Sequence, residues 1–183
     1  MPTATHTGTS TWSVDPTHAE VGFAVRHLMI STVRGRFGAI TGTVTLDEQH
    51  PENSKIDVTV DVSSIDTRQE QRDAHLRSAD FFDVEHHPSM HFVSTRVDGD
   101  ITSDFRVQGD LTIRGVTRPV TLEASAQGRG MDPWGKERMG FSATGKIRRG
   151  DFGLNWNQAL EAGGVVVGDE VKLSIDAELV RQD

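Results

Sequence analysis

Four histidines in the middle of the sequence could supply nitrogen donors for a metal ion. His75, His86, His87 and His91 follow one another within a short stretch, and Asp83 lies among them. Imidazole nitrogens and a carboxylate are donors that zinc and iron sites use. The spacing matches no known ligand signature, so we interpret these residues as surface or capping histidines and predict no metal. A metal-dependent enzyme built on the four histidines stays open as the alternative.

Residues for other kinds of catalysis are few. The carboxylates of Asp73, Asp80, Asp83 and Glu85 cluster in the sequence and could divide acid and base roles between them. Carboxylates are, however, common on the surface of an acidic chain. The absence of Cys excludes thiolate nucleophiles, disulfides and cysteine-held zinc, and the absence of Tyr excludes tyrosine acid or radical chemistry. No Gly-x-Ser-x-Gly elbow or phosphate-binding glycine loop is present. We therefore predict neither catalytic residues nor a cofactor.

Arginine pairs recur near the predicted strand ends and turns. At the mouth of a barrel such a side chain could hold a phosphate or quinone head group, although a solvated arginine on a turn is the plainer interpretation. The whole chain carries 19 Lys+Arg against 27 Asp+Glu, a net charge of −8, so its surface should repel nucleic acid. The pairs are Arg34/Arg36, Arg114/Arg118 and Arg148/Arg149.

Alternating apolar and polar residues dominate the chain from Trp12 onward. The pattern runs through residues 20–26, 56–63, 105–113 and 171–179. A period of two with a single apolar face indicates antiparallel strands. The spacing of the runs predicts roughly eight strands in one meander. Gly38 and Gly42 lie inside a strand-like run, where glycine marks the bends that a closing barrel requires.

One segment interrupts the alternation and is predicted to be helical. Residues 68–77 are helix-forming, and Thr67 with Glu70 matches a capping box. The segment is too polar for a core helix, so we expect a short surface helix or lid beside Phe81 and Phe82. The predicted fold class is therefore all-β, a single eight-stranded antiparallel barrel with one short helix near residues 68–77.

The chain is expected to form one domain. Residues 1–11 are rich in Thr, Ser and Gly and are predicted to be a flexible N-terminal tail, whereas residues 12–183 form the barrel. No segment approaches the roughly 20 apolar residues of a membrane helix. The first residues lack the basic and apolar regions of a secretory signal. We therefore expect a cytoplasmic protein without an integral membrane segment.

The apolar face of each strand must point into the barrel. An eight-stranded barrel is either filled by side chains or holds one small ligand, and periodicity does not distinguish the two. A carrier of an apolar ligand and a filled barrel that acts only through protein partners both stay open. The residues predicted to line a binding lumen are Phe23, Val25, Phe37, Phe82, Met90, Phe92, Leu111, Ile113, Phe141 and Phe152.

Several short strings, in this order, resemble one family. The most specific is Arg-Asp-Ala-His-Leu at residues 72–76, followed by Asp-Phe-Phe-Asp at residues 80–83. Other strings lie at residues 12–18, 23–28 and 149–153. Together they are similar to the YceI-like polyisoprenoid-binding family, and the likeness covers nearly the whole chain from Trp12.

This resemblance implies a lipocalin-like barrel that holds an isoprenoid chain, often as a homodimer. It implies storage or transport of a long isoprenoid lipid, of polyprenyl or isoprenoid quinone type, without catalysis. It also implies that Arg72, Asp73 and His75 fix the helix against the barrel. Many members of the family carry a secretory signal, which was not found in this sequence.

Overall fold

The computed structural model describes residues 8–161 and 163–183, which form a β-barrel with one α-helix. The helix α1 spans Glu70–Arg77, and 3-10 turns span Pro51–Asn53, Val62–Ser64 and Arg149–Phe152. The strands are β1 (Thr9–His27), β2 (Ser31–Phe37), β3 (Ile40–Asp47), β4 (Lys55–Asp61), β5 (Ser89–Gly99), β6 (Asp104–Ile113), β7 (Val116–Met131), β8 (Glu137–Arg148) and β9 (Val167–Arg181).

The sheet closes because β1 pairs along both of its edges. The strands from β3 to β9 pair in chain order, all antiparallel, and β9 then pairs with β1. On the other edge of β1, β3 pairs with its N-terminal part and β2 with its C-terminal part. Because β2 and β3 act as two halves of one interrupted strand, the barrel is eight-stranded, and the predicted lipocalin-like fold class is confirmed.

A bend in β1 allows this double pairing. The strand is 19 residues long, and its register with β9 shifts between Val14 and Ala19. Within the bend, Asp15 Oδ1 accepts hydrogen bonds from Thr17 N at 2.9 Å and Thr17 Oγ1 at 2.7 Å. Pro16 has no N–H to contribute to a ladder. The local sequence therefore favours a bulge at this point over a continuous strand.

The break between β2 and β3 lies at Gly38 and Ala39. Both backbone N–H groups donate to Ser64 Oγ, at 3.2 and 3.3 Å. Further along, Gly42 approaches β4 so closely that a Cβ at this position would lie 2.4 Å from Asp57 O. Only glycine permits that approach. The close approach explains the glycine at position 42, whereas a side chain at position 38 would meet open space.

The barrel begins earlier than the sequence suggested. Thr9, Ser10 and Thr11 belong to β1, where Thr9 pairs with Asp47 and Thr11 with Thr45. The predicted boundary at residue 12 is thus three residues late, because Thr and Ser are as compatible with a strand as with a tail. The rest of the predicted tail, residues 1–7, lies outside the described residues.

Helix α1 forms where it was expected, but its N-terminal cap differs from the prediction. Gln69 is the N-cap residue, and its Oε1 accepts a hydrogen bond from Arg72 N at 2.6 Å. The predicted capping box between Thr67 and Glu70 is wrong. Thr67 lies beside the first turn of α1, where its N and Oγ1 donate to Asp73 Oδ1 instead of capping the helix, and Arg68 between Thr67 and the cap has a positive φ of 62°. No helix in residues 8–161 and 163–183 is long and apolar enough to cross a membrane.

Packed side chains close one end of the barrel. Trp12 is fully buried there, and Met139 and Leu179 are each 3% exposed. The guanidinium groups of Arg129 and Arg181 lie over the Trp12 ring, at 5.5 and 5.9 Å from its centroid. We call this end, defined by Trp12, Met139 and Leu179, the floor.

Candidate functional site

The barrel encloses a cavity of about 290 Å³, which we call the lumen. Its walls are almost entirely apolar and come from every strand. The interpretation of a barrel filled by its own side chains is therefore wrong, because room for a ligand remains. Nine of the residues predicted from the sequence border this lumen: Phe23, Val25, Phe37, Phe82, Met90, Phe92, Leu111, Ile113 and Phe141.

Phe152 is the exception and does not border the lumen. It lies at the end of the Arg149–Phe152 turn and is only 1% exposed, packed within the core. Gly153 follows with a φ of 77°, which reverses the chain directly after the turn. Strand β8 ends at Arg148, so Phe152 lies beyond the strand and outside its alternation.

Aromatic rings form much of one wall. Phe23 packs against Phe37 with 5.6 Å between ring centroids, and Phe37 meets Phe82 edge-on at 5.7 Å. On another part of the wall, Phe105 meets Phe141 edge-on at 5.6 Å. Edge-to-face pairs of this kind are favourable beyond the area they bury. The wall is thus held in place without polar contacts.

Sequence reasoning missed several lining residues outside the regular strands. Leu76 on α1, Phe81 just beyond it and Leu154 after β8 border the lumen, as does Arg149. Leu76 belongs to the segment 68–77, which was predicted to be too polar for a core helix, and Phe81 follows that segment. The Phe81-Phe82 pair was the available signal, since two adjacent aromatic residues after a polar helix rarely both face solvent.

Exposed apolar side chains lie at the end of the barrel opposite the floor. This end is formed by the β1–β2 loop, α1 and the connection from β8 to β9. Val25, Val167 and Val171 border the lumen there and are only half-buried, whereas the floor residues are fully buried. Met29 and Ile30 in the β1–β2 loop are 54% and 77% exposed. We call this end the mouth.

The four histidines are not gathered into a metal site. His87 lies beside the turn at Gly115, and each of the others sits next to a different carboxylate. The hydrogen bond with Asp83 raises the pKa of His86 and lowers that of Asp83. The three pairs are His75 Nε2 with Asp80 Oδ2 at 2.8 Å, His86 Nδ1 with Asp83 Oδ1 at 3.0 Å, and His91 Nε2 with Asp57 Oδ1 at 2.6 Å.

Within the described ranges, a single group of three possible metal donors lies close together: Asp15, His18 and Glu178. Arg138 already occupies the space between the two carboxylates. Its Nη1 donates to Asp15 Oδ2 at 2.8 Å and to Glu178 Oε1 at 2.6 Å, and its Nε donates to Asp132 Oδ2 at 2.7 Å. A guanidinium in that place repels a cation, so this cluster is an ion-pair network that ties β1, β8 and β9 together.

Arg72 and Asp73 hold α1 against the barrel. Asp73 is 7% exposed, and its Oδ1 accepts hydrogen bonds from Thr67 N at 2.9 Å and Thr67 Oγ1 at 2.5 Å. Arg72 donates from Nε to the same hydroxyl and from Nη2 to Thr67 O, both at 2.7 Å. The His75 ring packs edge-on against Phe81 with 5.1 Å between centroids. These contacts fix the helix next to the mouth.

Comparison with known proteins gives consistent matches. The family model for the YceI-like domain matches residues 12–179. Protein YceI of Escherichia coli is 44% identical over 167 residues, which is 90% of this chain and 83% of that protein. The crystal structure of the Campylobacter jejuni YCEI protein superposes with a TM-score of 0.73 at 32% identity, over 86% of this chain and 90% of that one. A polyisoprenoid binding domain from Saccharophagus degradans superposes with a TM-score of 0.69 at 15% identity, over 93% and 98% of the two chains.

A closed antiparallel barrel around an apolar lumen defines the class of lipocalin-like barrels. Within that class the sequence match is specific, because it covers nearly the entire barrel. This chain belongs to the YceI-like family.

Proposed function

We propose that this protein binds a long isoprenoid lipid, non-covalently, in the lumen. The observation that carries the proposal is the almost wholly apolar wall around a cavity of about 290 Å³. Burial of each methylene contributes about 0.8 kcal/mol, so a prenyl chain gains affinity without polar contacts. The structural likeness to the Saccharophagus degradans domain, a polyisoprenoid binding domain, supports this choice of ligand.

The proposed role is storage or transport of the lipid, without catalysis and without a cofactor. His75, His86 and His91 each pair with a different carboxylate, and none of them belongs to a close group of three metal donors within the described residues, which gives no support to the alternative of a metal-dependent enzyme. Polyprenyl lipids and isoprenoid quinones are the two proposed ligand types. A homodimer and a cytoplasmic location remain predictions, and light scattering on the purified protein tests the first of them.

The direct test is chemical extraction of the purified protein. Organic solvent should release about one isoprenoid lipid per barrel, identified by mass spectrometry. A lumen variant and a matched surface variant show whether the lipid was inside. Ala143 borders the lumen and is half-buried, whereas its neighbour Thr144 is exposed on the outer face. Ala143→Phe should fill the space, and Thr144→Phe should leave it open.

We expect Ala143→Phe to purify with much less lipid than the wild type, and Thr144→Phe to retain it. Both variants must first show the wild-type far-UV spectrum, so that loss of lipid is not loss of fold. Extracts without isoprenoid lipid, together with a failure to bind added C20 isoprenoid alcohol, would overturn the proposal. Equal lipid content in the two phenylalanine variants would also contradict binding in the lumen.

A further inference from the structure

The turn between β1 and β2 presents bulky apolar side chains to solvent at the mouth. Met29 and Ile30, which we call the loop tip, are 54% and 77% exposed. Leu28 and Met29 both have a positive φ, 52° and 59°. Turns with two such residues are usually built from Asn-Gly or Asp-Gly, because other side chains are strained there. The sequence of the loop tip is therefore unfavourable both for the turn and for contact with water.

Hydrogen bonds hold this turn in place. Leu28 N donates to Val166 O at 2.8 Å, which ties the turn to the connection before β9. Arg26 Nη2 donates to Met29 O at 2.9 Å, so a positive charge lies directly beside the loop tip. Val165, next to Val166, is 37% exposed and adds apolar surface close to the turn. The loop tip is thus presented in a fixed conformation.

Unpaired cations lie next to the loop tip on the outer face of the barrel. Arg26, Arg34 and Lys172 are exposed, and none of them has an ion-pair partner among the residues that the structure describes. Ala24 on β1 pairs with Arg34 on β2 and with Lys172 on β9, so the two cations flank β1 with about 10 Å between their backbones. This local positive charge belongs to a chain whose net charge is −8.

The positive charge extends onto β8. Lys146 lies directly opposite Lys172, and like charges in such positions destabilise a sheet. The acid next to them, Glu170, is 4.0 Å from Lys146, and Asp169 is engaged by Arg148 at 2.9 Å. Two of the acids that follow α1 are likewise engaged, each by a histidine. An anionic surface placed against this face would offset the repulsion between the lysines.

The opposite end of the barrel has exposed apolar residues but a different charge. Met131 and Trp134, at the turn between β7 and β8, are 69% and 81% exposed. The neighbouring cations, Lys136 and Arg138, are both paired with carboxylates. The two ends therefore differ in the charge beside their apolar residues, and Trp134 provides a matched control for the loop tip.

We propose that the loop tip, together with Arg26, Arg34 and Lys172, docks the mouth of the barrel onto a membrane surface that contains anionic lipids. The apolar side chains would enter the boundary between head groups and acyl chains, and the cations would stay at the phosphates. Affinity of this kind combines buried apolar area with attraction between basic residues and anionic lipids. Docking uses the outer surface alone, so it does not depend on what the lumen holds.

The first experiment measures binding of the purified protein to vesicles by sedimentation. One set of vesicles is pure phosphatidylcholine, and the other also contains about 30 mol % phosphatidylglycerol, which is anionic. We expect binding to the anionic vesicles to be at least about tenfold tighter than to the neutral ones. At roughly 0.5 M salt, which screens exposed charges, most of this difference should disappear.

The second experiment changes the loop tip. Met29→Asn/Ile30→Ser removes both apolar side chains, and Asn tolerates the positive φ at position 29, so the melting temperature should not fall. We expect binding to the anionic vesicles to weaken at least about tenfold, because the apolar contribution is lost. Trp134→Ser removes an exposed apolar residue at the other end and should leave binding unchanged.

The third experiment changes the charge. Each basic residue near an anionic membrane contributes about fivefold to binding, so Arg34→Gln/Lys172→Gln should weaken binding roughly 25-fold. Arg96→Gln/Arg106→Gln is the matched control, because it alters the net charge equally on β5 and β6, where both arginines are ion-paired. This control should bind anionic vesicles as the wild type does.

A fluorescent label shows which end enters the membrane. The chain contains no Cys, so Ile30→Cys and Trp134→Cys each provide a single site for an environment-sensitive fluorophore. We expect the emission at position 30 to shift to the blue when anionic vesicles are added, and the emission at position 134 to stay unchanged. A shift at position 134 alone, or equal shifts at both positions, would overturn docking through the mouth.

The remaining outcomes separate docking from the proposed function. If the wild type does not bind anionic vesicles, or if the loop-tip and charge variants bind as the wild type does, docking is overturned while lipid binding in the lumen stands. In the first case the patch would fit an acidic protein surface instead of a membrane. If solvent extraction and binding of C20 isoprenoid alcohol both fail, the proposed function is overturned and the vesicle results still decide docking.

Discussion

At the scale of single residues, Phe92 shows how the lumen keeps its width. The residue is half-buried on β5, and its ring lies over Gly109 of β6, where a Cβ would come within 2.4 Å of Phe92 Cζ. The glycine lets the ring lie flat along the wall. The volume of the lumen therefore depends on a pair of residues on adjacent strands.

Phe92→Ala should widen the lumen and shift its ligand preference. A fully buried Phe→Ala change costs about 3–5 kcal/mol, and a half-buried lining residue should cost less. We expect the free energy of unfolding to fall by less than about 3 kcal/mol and the extracted lipids to shift towards longer or bulkier chains. Denaturant unfolding and mass spectrometry measure the two effects. Val93→Ala, on the outer face next to Phe92, should change neither, and identical lipid profiles in both variants would refute the role of Phe92.

Asp15 stabilises the folded barrel, and this contribution should be lost at acidic pH. Hydrogen bonds from Thr17 and Arg138 hold the pKa of Asp15 well below its usual value of 3.8. A pKa lowered in the folded state contributes stability above about pH 4, and that contribution is lost as the pH falls further. Asp15→Asn should therefore cost about 1–3 kcal/mol at pH 7. The difference in the free energy of unfolding between Asp15→Asn and the wild type should narrow below about pH 4.

Unfolding in urea at several pH values tests this expectation. Asp151→Asn is the control, because Asp151 is exposed and makes no ion pair or side-chain hydrogen bond within the described residues. A gap between Asp15→Asn and the wild type that stays constant from pH 7 to pH 2.5 would show that Asp15 does not act through its charge.

At the scale of elements, the segment after α1 joins the helix to the wall of the lumen. Phe82 N donates to Leu76 O at 3.0 Å and Val84 N donates to Arg77 O at 3.0 Å, so the chain folds back along the end of the helix. This return places the Phe82 ring against Phe37. The polar helix thereby contributes to the apolar interior through the residues that follow it.

Phe82→Asp should detach this segment from the lumen. A carboxylate in apolar surroundings costs several kcal/mol unless it is paired or neutralised. We expect a lower melting temperature and loss of bound lipid, whereas Phe82→Leu should keep most of both. Lipid content and melting temperature are measured on the same preparations. Full lipid occupancy and wild-type stability in Phe82→Asp would mean that the segment is neither lid nor wall.

The elements also show what the sequence could and could not predict. Alternation placed the inward-facing residues because a strand has a fixed period of two, and all eight predicted lining residues that lie on strands border the lumen. It did not show that β2 and β3 share one edge of β1, because pairing depends on contacts distant in the chain. Two predictions outside the strands were wrong: Phe152 ends a 3-10 turn and does not border the lumen, and the N-cap of α1 is Gln69 instead of Thr67. Continued through Ile147 and Arg148, the same alternation would have assigned Arg149 to the interior.

At the scale of the whole molecule, bound lipid should stabilise the fold. A ligand present at 100 times its dissociation constant contributes about 2.7 kcal/mol. For a domain of this size each kcal/mol moves the melting temperature by about 2–4 °C. Delipidated protein should therefore melt about 5–10 °C lower than lipid-loaded protein, as calorimetry can measure, and added C20 lipid should restore the difference. Identical melting temperatures would argue against a ligand that fills the lumen.

The sealed floor has a consequence for how fast a lipid leaves. With Trp12 blocking one end, a prenyl chain has to withdraw through the mouth, and every carbon that emerges is exposed to water. At about 0.8 kcal/mol per methylene, the escape rate into water should fall roughly fourfold for each added carbon. An apolar acceptor at the mouth, such as a vesicle surface, would remove most of that barrier. We therefore expect spontaneous release to slow steeply with chain length while transfer to vesicles slows far less, which stopped-flow fluorescence with labelled lipids can measure. A barrel closed at one end should therefore release its lipid slowly into water and much faster to another apolar phase that it contacts.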